Sequence, residues 1–391
     1  MLILRKSVKS LQLILNEFTI NFDLEPVSNS AFTKARANLN YTAFIELNQK
    51  AVVDVMYSDN NIKLYRGMRV IGIDGSKVLL PDSAEITEEF GQISYRNNHP
   101  EVKGSHNYAL ASVMYDVLNR IAVDSFLGAA RAYEVDLAIG HLEYSLDNDL
   151  LLYDRNYPSY FHLATLCNLN KKFVIRCSAS SFKQARDMLN GEGLDNQIVT
   201  LTPHHSQLAE IKANNLPEQV TVRFVRVLLK TGEYEVLVTS LLDEEQFTCE
   251  DFLEIYYMRW GVEGFYAILK TRLNLENFSG KTAHSIYQDF YSTVYLTGLE
   301  SILTADVDEQ LEKKSTKNTQ KVNRAVSFNA IKNQAVELLC SNEDSEVVIK
   351  RLERLFLTNP VSIREQREVP RQKRSARYQA NFLKRKRKIT F

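Results

Sequence analysis

The stretch Met68-Arg-Val-Ile-Gly-Ile-Asp74, followed by Gly75-Ser76, indicates the fold class. Its apolar residues predict a buried strand, and the small residues after it predict that the strand ends at the aspartate. The run Leu150-Leu-Leu-Tyr-Asp154 has the same form. Carboxylates at strand ends are held by a rigid sheet while they face solvent, which suits hard divalent cations that prefer oxygen ligands. A single such aspartate, however, more often begins a turn or caps a helix.

The segments around these two runs predict a mixed α/β fold. Two β-rich stretches, Tyr108–Val117 and Ile121–Phe126, are separated by Asn119-Arg120, which suits a tight hairpin turn. A helix is expected over Glu134–Leu146, and helix and strand alternate again over Tyr160–Arg176. A hairpin followed by a helix and further strands is typical of a mixed sheet rather than a purely doubly wound one.

A β-rich stretch from about Ser178 to Asp243 is interpreted as an insertion into this α/β core. Within it, Val220–Leu229 and Tyr234–Ser240 flank the turn Lys230-Thr-Gly-Glu and predict a second hairpin. After the insertion, a long helix is expected to start near Thr248-Cys249.

The two ends of the chain lie outside the core pattern. Ser30 is expected to cap a helix that continues to Phe44, in a helical region that suits either a small DNA-binding unit or a structural cap. The predicted division of the chain has six parts: a helical N-terminal region 1–62, the first part of the core 63–177, the β-rich insertion 178–245, the second part of the core 246–300, a C-terminal helical region 301–363 and a basic tail 364–391.

The formal net charge is zero, but the charges are unevenly distributed. The last 28 residues, Arg364–Phe391, contain eleven Lys or Arg and two Glu, a local net charge of +9. The other 363 residues therefore carry −9. This asymmetry favours either a basic arm that contacts phosphates or a solvated tail without a specific partner.

Composition excludes several other classes of protein. No apolar run approaches the ~18–20 residues needed to cross a bilayer. Residues 1–21 lack the cleavage site of a signal peptide and are interpreted as part of the folded protein. The four cysteines form no CxxC pair and have no nearby histidine cluster, which indicates reduced thiols rather than a disulfide framework or zinc site.

The most specific segment is Tyr256-Tyr-Met-Arg-Trp-Gly-Val-Glu-Gly-Phe-Tyr-Ala-Ile-Leu-Lys270. At ~100° per residue, four of its polar side chains fall within about 60° of one another. They are Tyr256, Arg259, Glu263 and Lys270. An adjacent apolar stripe, formed by Ile255, Met258, Val262, Phe265 and Leu269, predicts the buried side of the helix. The alternative is an ordinary surface helix with i, i+4 ion pairs.

The spacing Tyr-x2-Arg-x3-Glu-x6-Lys resembles the signature of the insertion-sequence-four family of DDE transposases and matches it at every specified position. Val70–Ser76 resembles the first-aspartate strand of that family, and Leu151–Tyr157 resembles the second. Pro26–Arg36 resembles the helical segment upstream of the core, and the resemblance extends over roughly residues 26–300. Further positions that resemble the family are Trp260, Phe265 and Phe278-Ser-Gly280-Lys.

The resemblance implies a ribonuclease-H-like core, interrupted by the β-rich insertion, in which Asp74, Asp154 and Glu263 hold two Mg²⁺ (or Mn²⁺) ions. It also implies that Arg259 and Lys270 bind DNA phosphates and that a phosphate accepts a hydrogen bond from Tyr256. The ions would activate water and stabilise the leaving oxygen in an in-line displacement.

Trp260, the only tryptophan, would stack on a displaced base or pack in the core. The helical wheel places it to one side of the catalytic row, and core packing is preferred. The implied partners are double-stranded DNA, both the inverted-repeat ends of the element and the target, and a second copy of the chain in the DNA complex. No membrane partner is expected, and the implied location is the bacterial cytoplasm, at the nucleoid.

Three other functions remain open from the sequence. A metal-dependent endonuclease would use the same three carboxylates without strand transfer. A DNA-binding protein derived from a transposase would lack catalysis, although all three carboxylates are present. A helical scaffold for protein interactions does not explain the Tyr-Arg-Glu-Lys row.

Overall fold

The computed structural model describes residues 2–5, 10–58, 62–96, 103–229, 232–340 and 344–363. The basic tail 364–391, and two residues of the predicted turn after Leu229, lie outside the described residues. The chain divides into two compact units. The first consists of Met1–Ser58, Leu79–Tyr108 and Ile268–Phe391, and the second of Asp59–Val78 and Ala109–Ala267.

The described helices, in chain order, are α1 Leu2–Arg5, α2 Leu11–Asn21, α3 Asn29–Ala37, α4 Thr42–Asn48, α5 Asp54–Ser58, α6 Ala84–Phe90, α7 Glu134–Gly140, α8 Tyr160–Asn168, α9 Lys183–Leu189, α10 Leu208–Ala213, α11 Asp251–Met258, α12 Trp260–Ala267, α13 Ala283–Glu312, α14 Arg324–Cys340 and α15 Ser345–Thr358. Two π-helical turns, Gln49–Val53 and Ile268–Arg272, and two 3₁₀ turns, His141–Tyr144 and His205–Gln207, adjoin them.

The described strands are β1 Arg69–Leu79, β2 Gln92–Arg96, β3 Lys103–Asp116, β4 Ile121–Ala129, β5 Asp149–Tyr153, β6 Lys172–Cys177, β7 Asn196–Leu201, β8 Val220–Leu228, β9 Tyr234–Thr239, β10 Gln320–Val322 and β11 Pro360–Ser362. In the second unit the sheet has the order β4-β3-β1-β5-β6-β9-β8-β7. The central pairs β1–β5 and β5–β6 are parallel, and the outer pairs are antiparallel. The predicted mixed α/β class is therefore confirmed.

A buried ion pair sets the start of the central strands. Arg69 and Asp149 are register partners in β1 and β5, and both are buried. The guanidinium donates two hydrogen bonds to the carboxylate, over 2.6 and 2.7 Å. Such a pair adds little net stability, but removing one partner leaves a buried charge at a cost of about 3–5 kcal/mol. The pair therefore favours one register between the two strands.

The core of the second unit lies between one face of this sheet and helix α11. Alternate residues of β1, β5 and β6 point to the same face, because side chains alternate along a strand. Val70, Leu152 and Val174 are fully buried there. Phe252 and Ile255 of α11 complete the cluster. Of the predicted apolar stripe, four residues are buried as expected and Met258 is partly buried. The four are Ile255, Val262, Phe265 and Leu269.

In the first unit, the 30-residue helix α13 is the central element, and most of its side chains are buried. A capping box formed by Thr282 and Ser285 starts the helix. Arg36, at the end of α3, pairs with buried Asp289 of α13 at 3.0 Å. Gly298 allows a close approach to Val52, since a Cβ on this glycine would lie 2.5 Å from Val52 Cγ1. The N-terminal helices of this unit are thereby fixed to α13.

Several predicted boundaries need correction. Ser28, not Ser30, caps α3. The helix ends at Ala37, and α4 begins only at Thr42, so no single helix reaches Phe44. Both predicted hairpins, β3–β4 and β8–β9, are present. The helix expected near Thr248 begins at Asp251, because the Asp251 carboxylate accepts hydrogen bonds from Thr248 at its N-terminus.

No helix in the described part of the chain is both long enough and apolar enough to span a bilayer.

Candidate active site

Asp74 and Asp154 each lie two residues beyond a pair of register partners on the adjacent strands β1 and β5. The parallel register pairs Gly72 with Leu152, an offset of 80 residues that also relates Asp74 to Asp154. Register partners on neighbouring strands point to the same face. Asp154 directly follows β5, as predicted. Asp74, however, lies within β1, which continues to Leu79, so the predicted strand end at Asp74 is wrong.

The strand continues because its pattern of burial resumes after the glycine: Val78 and Leu80 are buried. Gly75 leaves room for a neighbour rather than ending the strand. A Cβ at this position would lie 3.3 Å from Cγ and Cδ of Glu134, at the start of α7. The carboxylate of Glu134 is thus packed beside the backbone that carries Asp74, a contact that the sequence analysis did not anticipate.

Asp74 is half-buried. The pKa of this carboxyl group is raised to about 7, mainly by burial and also by the charges of Asp154 and Glu263. The Gly75 N–H, which donates to Oδ1 over 2.9 Å, and the charge of Arg259 act in the opposite direction. The three predicted carboxylates therefore lie within electrostatic range of one another, in the second unit.

A tyrosine of α12 fixes the backbone at Asp74. The Tyr266 hydroxyl lies 2.9 Å from the Asp74 carbonyl oxygen and 3.0 Å from the Ala111 carbonyl oxygen. Tyr266 is buried, and burial raises its pKa well above the usual range. The hydroxyl therefore keeps its proton and links α12 to β1 and β3.

Glu263 forms an ion pair with Arg259, one helical turn earlier. Arg259 Nη2 donates to Glu263 Oε1 over 2.8 Å. The arginine side chain is only 2% exposed, whereas the glutamate is 41% exposed. The guanidinium also lies over two rings, 5.4 Å from that of Tyr256 and 4.9 Å from that of Trp260. The pair is the i, i+4 alternative considered from the sequence, but with a buried cation.

Two donors of Arg259 have no partner. Among the described residues, Nε and Nη1 are buried and make no hydrogen bond. A buried guanidinium donor without an acceptor is costly, by about 1–3 kcal/mol for each unsatisfied group. An anion that reached Arg259 would meet these two donors, and the planar fork of arginine matches the geometry of a phosphate.

Tyr256 lies between Arg259 and Asp154. Its hydroxyl is 3.5 Å from Asp154 Oδ1, at the limit of a hydrogen bond. The side chain is buried, and burial raises its pKa above the ordinary value of tyrosine. As a neutral donor, this hydroxyl can hydrogen-bond a carboxylate or a phosphate oxygen.

The predicted exposed row of Tyr256, Arg259, Glu263 and Lys270 is not present in that form. Tyr256 and Arg259 are buried. This side of the helix faces the charged residues of the sheet, which are Asp154, Arg176 and Glu235. The expected core packing of Trp260 is also wrong, since 39% of the side chain is exposed. Lys270 lies in the π-helical turn Ile268–Arg272, where the regular 100° spacing used for the wheel does not hold.

A second charged pair lies on the sheet beside Asp154, and the sequence analysis missed it. Arg176, near the end of β6, pairs with Glu235 of β9 at 2.9 Å. Burial raises the pKa of Glu235; Arg176 and Arg259 lower it, and Asp154 raises it. An arginine at the end of the strand after the second aspartate was a local signal for Arg176. Glu235 gave none, because its position depends on the hairpin register.

The three carboxylates are suitable ligands for a divalent cation, but they are not arranged around a common point. Carboxylate oxygens are the ligands that Mg²⁺ and Mn²⁺ prefer. Within the described residues, however, no three His, Cys, Asp or Glu side chains are gathered closely enough to hold a metal ion. Glu263 is paired with Arg259 instead. A metal site formed by the three carboxylates therefore requires them to come closer together than they are here.

Another constellation suggests hydrolase chemistry but is closed. Ser112 Oγ lies 3.0 Å from His141 Nε2, and Asp124 Oδ2 lies 2.6 Å from His141 Nδ1. All three side chains are buried, and Phe126 stacks on the imidazole at 4.6 Å. A substrate cannot reach the serine. The chain of hydrogen bonds therefore ties β3 and β4 to the turn after α7.

Comparisons with known proteins identify the family. A sequence model described as the transposase DDE domain matches residues 65–295, which is 231 of the 391 residues. No curated protein sequence matches the chain significantly. A cryo-EM structure of a piggyBac transposase synaptic complex with hairpin DNA is similar at a TM-score of 0.41 and 11% identity, over 90% of this chain and 68% of that chain.

The match to the transposase DDE domain shows the family of this chain. That match covers more than half of the chain and includes both strand aspartates and the helix with Glu263. The chain therefore belongs to the DDE transposases, enzymes that cleave and transfer DNA strands with the help of divalent metal ions.

Proposed function

We propose that this transposase cleaves the ends of an insertion sequence and joins them to target DNA, with Asp74, Asp154 and Glu263 as its catalytic, metal-binding carboxylates. The observation that carries the proposal is the register of the parallel strands β1 and β5, in which Gly72 pairs with Leu152 and each aspartate follows two residues later. The charge of Glu263, which raises the pKa of Asp74, supports its inclusion.

Two Mg²⁺ (or Mn²⁺) ions are the proposed cofactors; when bound, they would activate a water molecule and stabilise the leaving oxygen. Asp74 would hold both ions, and Asp154 and Glu263 one each. Hydrolysis breaks the bond between the 3′ oxygen and the phosphorus and leaves a 3′-hydroxyl. In strand transfer, this hydroxyl forms a new bond to a target phosphorus as the target's own 3′ oxygen departs.

The protein's own groups position the DNA in this proposal. Arg259 leaves Glu263 and binds a phosphate through the fork that includes its two unpartnered donors. Its departure makes the Glu263 carboxylate available to a cation. The Tyr256 hydroxyl donates to a phosphate oxygen near Asp154, and Lys270 contacts another phosphate as a point charge. Trp260, which is partly exposed beside Arg259, offers a ring on which a displaced base can stack.

We further propose membership of the insertion-sequence-four family, because the Tyr-x2-Arg-x3-Glu-x6-Lys spacing is complete. The proposed architecture is a ribonuclease-H-like core of residues 63–177 and 246–300. The segment 178–245, which contributes β7, β8 and β9 at one edge of the sheet, is its insertion. The helical regions 1–62 and 301–363 flank it, with DNA binding proposed for the first. Two copies are proposed to act together on paired DNA ends in the bacterial nucleoid.

The test is cleavage of the element's own end DNA by the purified protein. We expect cleavage with Mg²⁺ or Mn²⁺ and none in EDTA. Asp74→Asn, Asp154→Asn and Glu263→Gln should each abolish cleavage and leave DNA binding largely intact. Near-normal cleavage by Glu263→Gln would show that the site is wrongly assigned.

The products distinguish this function from that of an endonuclease. A labelled end fragment incubated with plasmid DNA should become covalently joined to the plasmid through its 3′ end. Cleaved ends that never join to the plasmid would indicate an endonuclease. Binding without cleavage by the wild-type protein would indicate a non-catalytic derivative.

A further inference from the structure

The ion pair between Arg176 and Glu235 lies beside the proposed catalytic set but has no part in it. The parallel register pairs Tyr153 with Ile175, an offset of 22 residues that also places Arg176 opposite Asp154. Asp74, Asp154 and Arg176 are therefore aligned across three adjacent strands and point to one face of the sheet. Arg176 thus places a cation on the strand next to that of the second aspartate.

Glu235 shares this face. The antiparallel register pairs Arg176 with Leu237, and Glu235 is two residues from Leu237 along β9. Residues two apart on a strand point to the same side. The pairing of Arg176 Nη2 with Glu235 Oε1 at 2.9 Å agrees with this arrangement. The side chain of the glutamate is 11% exposed, whereas that of the arginine is 30% exposed and can be reached from solvent.

The charge of Arg176 reaches the contact between Tyr256 and Asp154. Arg176 and Arg259 both lower the pKa of Tyr256, while burial, which is the largest cause, raises it. The same two arginines are the cations that act on Glu235. Two guanidinium groups therefore converge on the region around Asp154 and Tyr256, where the sequence identified only one.

Both arginines have N–H donors that are not used by protein acceptors in the described part of the chain. Within the described residues, Arg259 is buried with two N–H donors that lack partners. Arg176 has a single ion-pair contact with Glu235, although a guanidinium can donate to both oxygens of an anion. A phosphate has enough acceptor oxygens for both arginines, and the carboxylates alone do not use these donors.

We propose that Arg176 is a DNA-binding residue of the active site, which exchanges Glu235 for an oxygen of a backbone phosphate next to Asp154. This inference rests on the proposed function, because it requires DNA to lie across Asp154. Glu235 acts as the competing anion, which neutralises Arg176 while DNA is absent. The ligand class is a phosphodiester of the DNA backbone.

The experiment measures binding of end DNA by fluorescence anisotropy in EDTA, so that no cleavage occurs. The variants are Arg176→Ala, Arg176→Lys and Glu235→Gln, with Arg186→Ala as the control. Arg186 lies on α9, its side chain is 55% exposed, and its replacement removes the same charge. We expect Arg176→Ala to weaken binding by about tenfold or more, since a charge-assisted hydrogen bond contributes roughly 1.5–3 kcal/mol.

The other variants should follow from the proposed exchange. Arg186→Ala should change the affinity by less than about twofold, because Arg186 is exposed and pairs with its neighbour Asp187. Glu235→Gln should tighten binding, because the competing anion is lost. Arg176→Lys should recover only part of the loss, because a point charge cannot reproduce the guanidinium fork.

The decisive measurement uses end DNA in which single phosphates near the cleavage site are replaced by neutral methylphosphonates. One position should weaken wild-type binding by about tenfold and Arg176→Ala binding by less than about twofold, as expected for two partners of one charged hydrogen bond. If every position weakens both proteins equally, the inference is overturned. The same holds if Arg176→Ala matches Arg186→Ala.

If Arg176→Ala does not fold, Arg176→Lys and Glu235→Gln decide: unchanged affinity in both would overturn the inference. Failure of wild-type protein to bind end DNA would instead refute the proposed function. The two failures are therefore distinguishable.

Discussion

Arg259 is buried and donates to the partly exposed carboxylate of Glu263 over 2.8 Å, so the cation of this pair is more deeply buried than the anion. Desolvation makes a buried guanidinium costly unless its donors are satisfied. Two of the Arg259 donors lack partners among the described residues. Glu263 therefore occupies only one side of the guanidinium, and the unused donors of Arg259 can bind a second anion.

We expect Arg259→Ala and Lys270→Ala to form near-normal complexes with end DNA but to cleave it poorly. A phosphate contact beside the reacting bond contributes more to positioning than to bulk affinity, and small displacements there can slow a reaction about 100-fold. Arg259→Lys should rescue little activity. Gel-shift affinity and single-turnover cleavage on the same end fragment are the measurements.

The control for these variants is Arg272→Ala, which removes an exposed positive charge two residues from Lys270. It should leave the cleavage rate of bound DNA unchanged. Equal losses of affinity and rate in Arg259→Ala would show an ordinary electrostatic contact. Full activity would show that Arg259 and Glu263 form a purely structural pair.

Asp74→Asn should stabilise the metal-free protein at alkaline pH. Because burial raises the pKa of Asp74 to about 7, the folded protein keeps this proton between about pH 4 and 7 while the unfolded chain loses it. Unfolding then releases a proton, so the free energy of unfolding falls as the pH rises through this range. The asparagine variant lacks this loss.

At pH 8 in EDTA we expect Asp74→Asn to be more stable by roughly 2 kcal/mol, a value reduced for the partial exposure of the side chain. The difference should vanish near pH 4. Urea unfolding at several pH values is the measurement, and Mg²⁺ should stabilise only the wild-type protein. A difference that is independent of pH would contradict the raised pKa.

Two glycines of α12 provide a matched test of how closely this helix packs within the second unit. A Cβ on Gly261 would lie 2.9 Å from Val117 Cβ, whereas nothing lies within 4 Å of a Cβ on Gly264. We expect Gly261→Ala to lower the free energy of unfolding by about 1–3 kcal/mol through overpacking. Gly264→Ala should raise it by up to about 1 kcal/mol through helix propensity.

The two variants should also differ in cleavage rate. Gly261 allows the helix that carries Glu263 to lie close to Val117, and a larger residue would move Glu263. Gly261→Ala should cleave more slowly, and Gly264→Ala should keep its rate. Replacing Val117 by alanine as well should restore much of the stability of Gly261→Ala. If both single variants are equally stable, the close contact with Val117 is not significant.

Deletion of residues 371–391 should make DNA binding less dependent on salt. This segment contains nine Lys or Arg and no acidic residue, and each phosphate contact contributes about 0.9 to the slope of log K against log salt concentration. The measurement is the affinity for end DNA at several NaCl concentrations. An unchanged slope would favour a solvated tail without a DNA contact.

Local patterns predicted the elements of this site more accurately than its surroundings. The apolar run before Asp154 was sufficient to place that residue directly after a strand. The same reasoning ended β1 too early, because Gly75 and Ser76 resemble a turn. The strand continues because Val78 and Leu80 are buried. Their burial depends on packing against residues distant in sequence, which a local pattern does not show.

The sequence could not reveal which charges would be buried. A helical wheel describes the spacing of Tyr256 and Arg259 but not what packs against them, so their burial was unexpected. Core packing was also expected for Trp260, although the ring is partly exposed and covers a guanidinium. Glu235 reaches the site through an antiparallel register between β6 and β9, which no local pattern encodes.

The ion pair of Arg69 and Asp149 also fixes the positions of the two aspartates, because each aspartate follows one member of the pair at the same interval. Asp74 is five residues after Arg69, and Asp154 is five residues after Asp149. One residue gained or lost within either interval would turn its aspartate to the opposite face of the sheet. Loops outside these intervals can change length without that effect. Among transposases with this sheet, we therefore expect length variation to stop at the buried ion pair and to resume only beyond the aspartates.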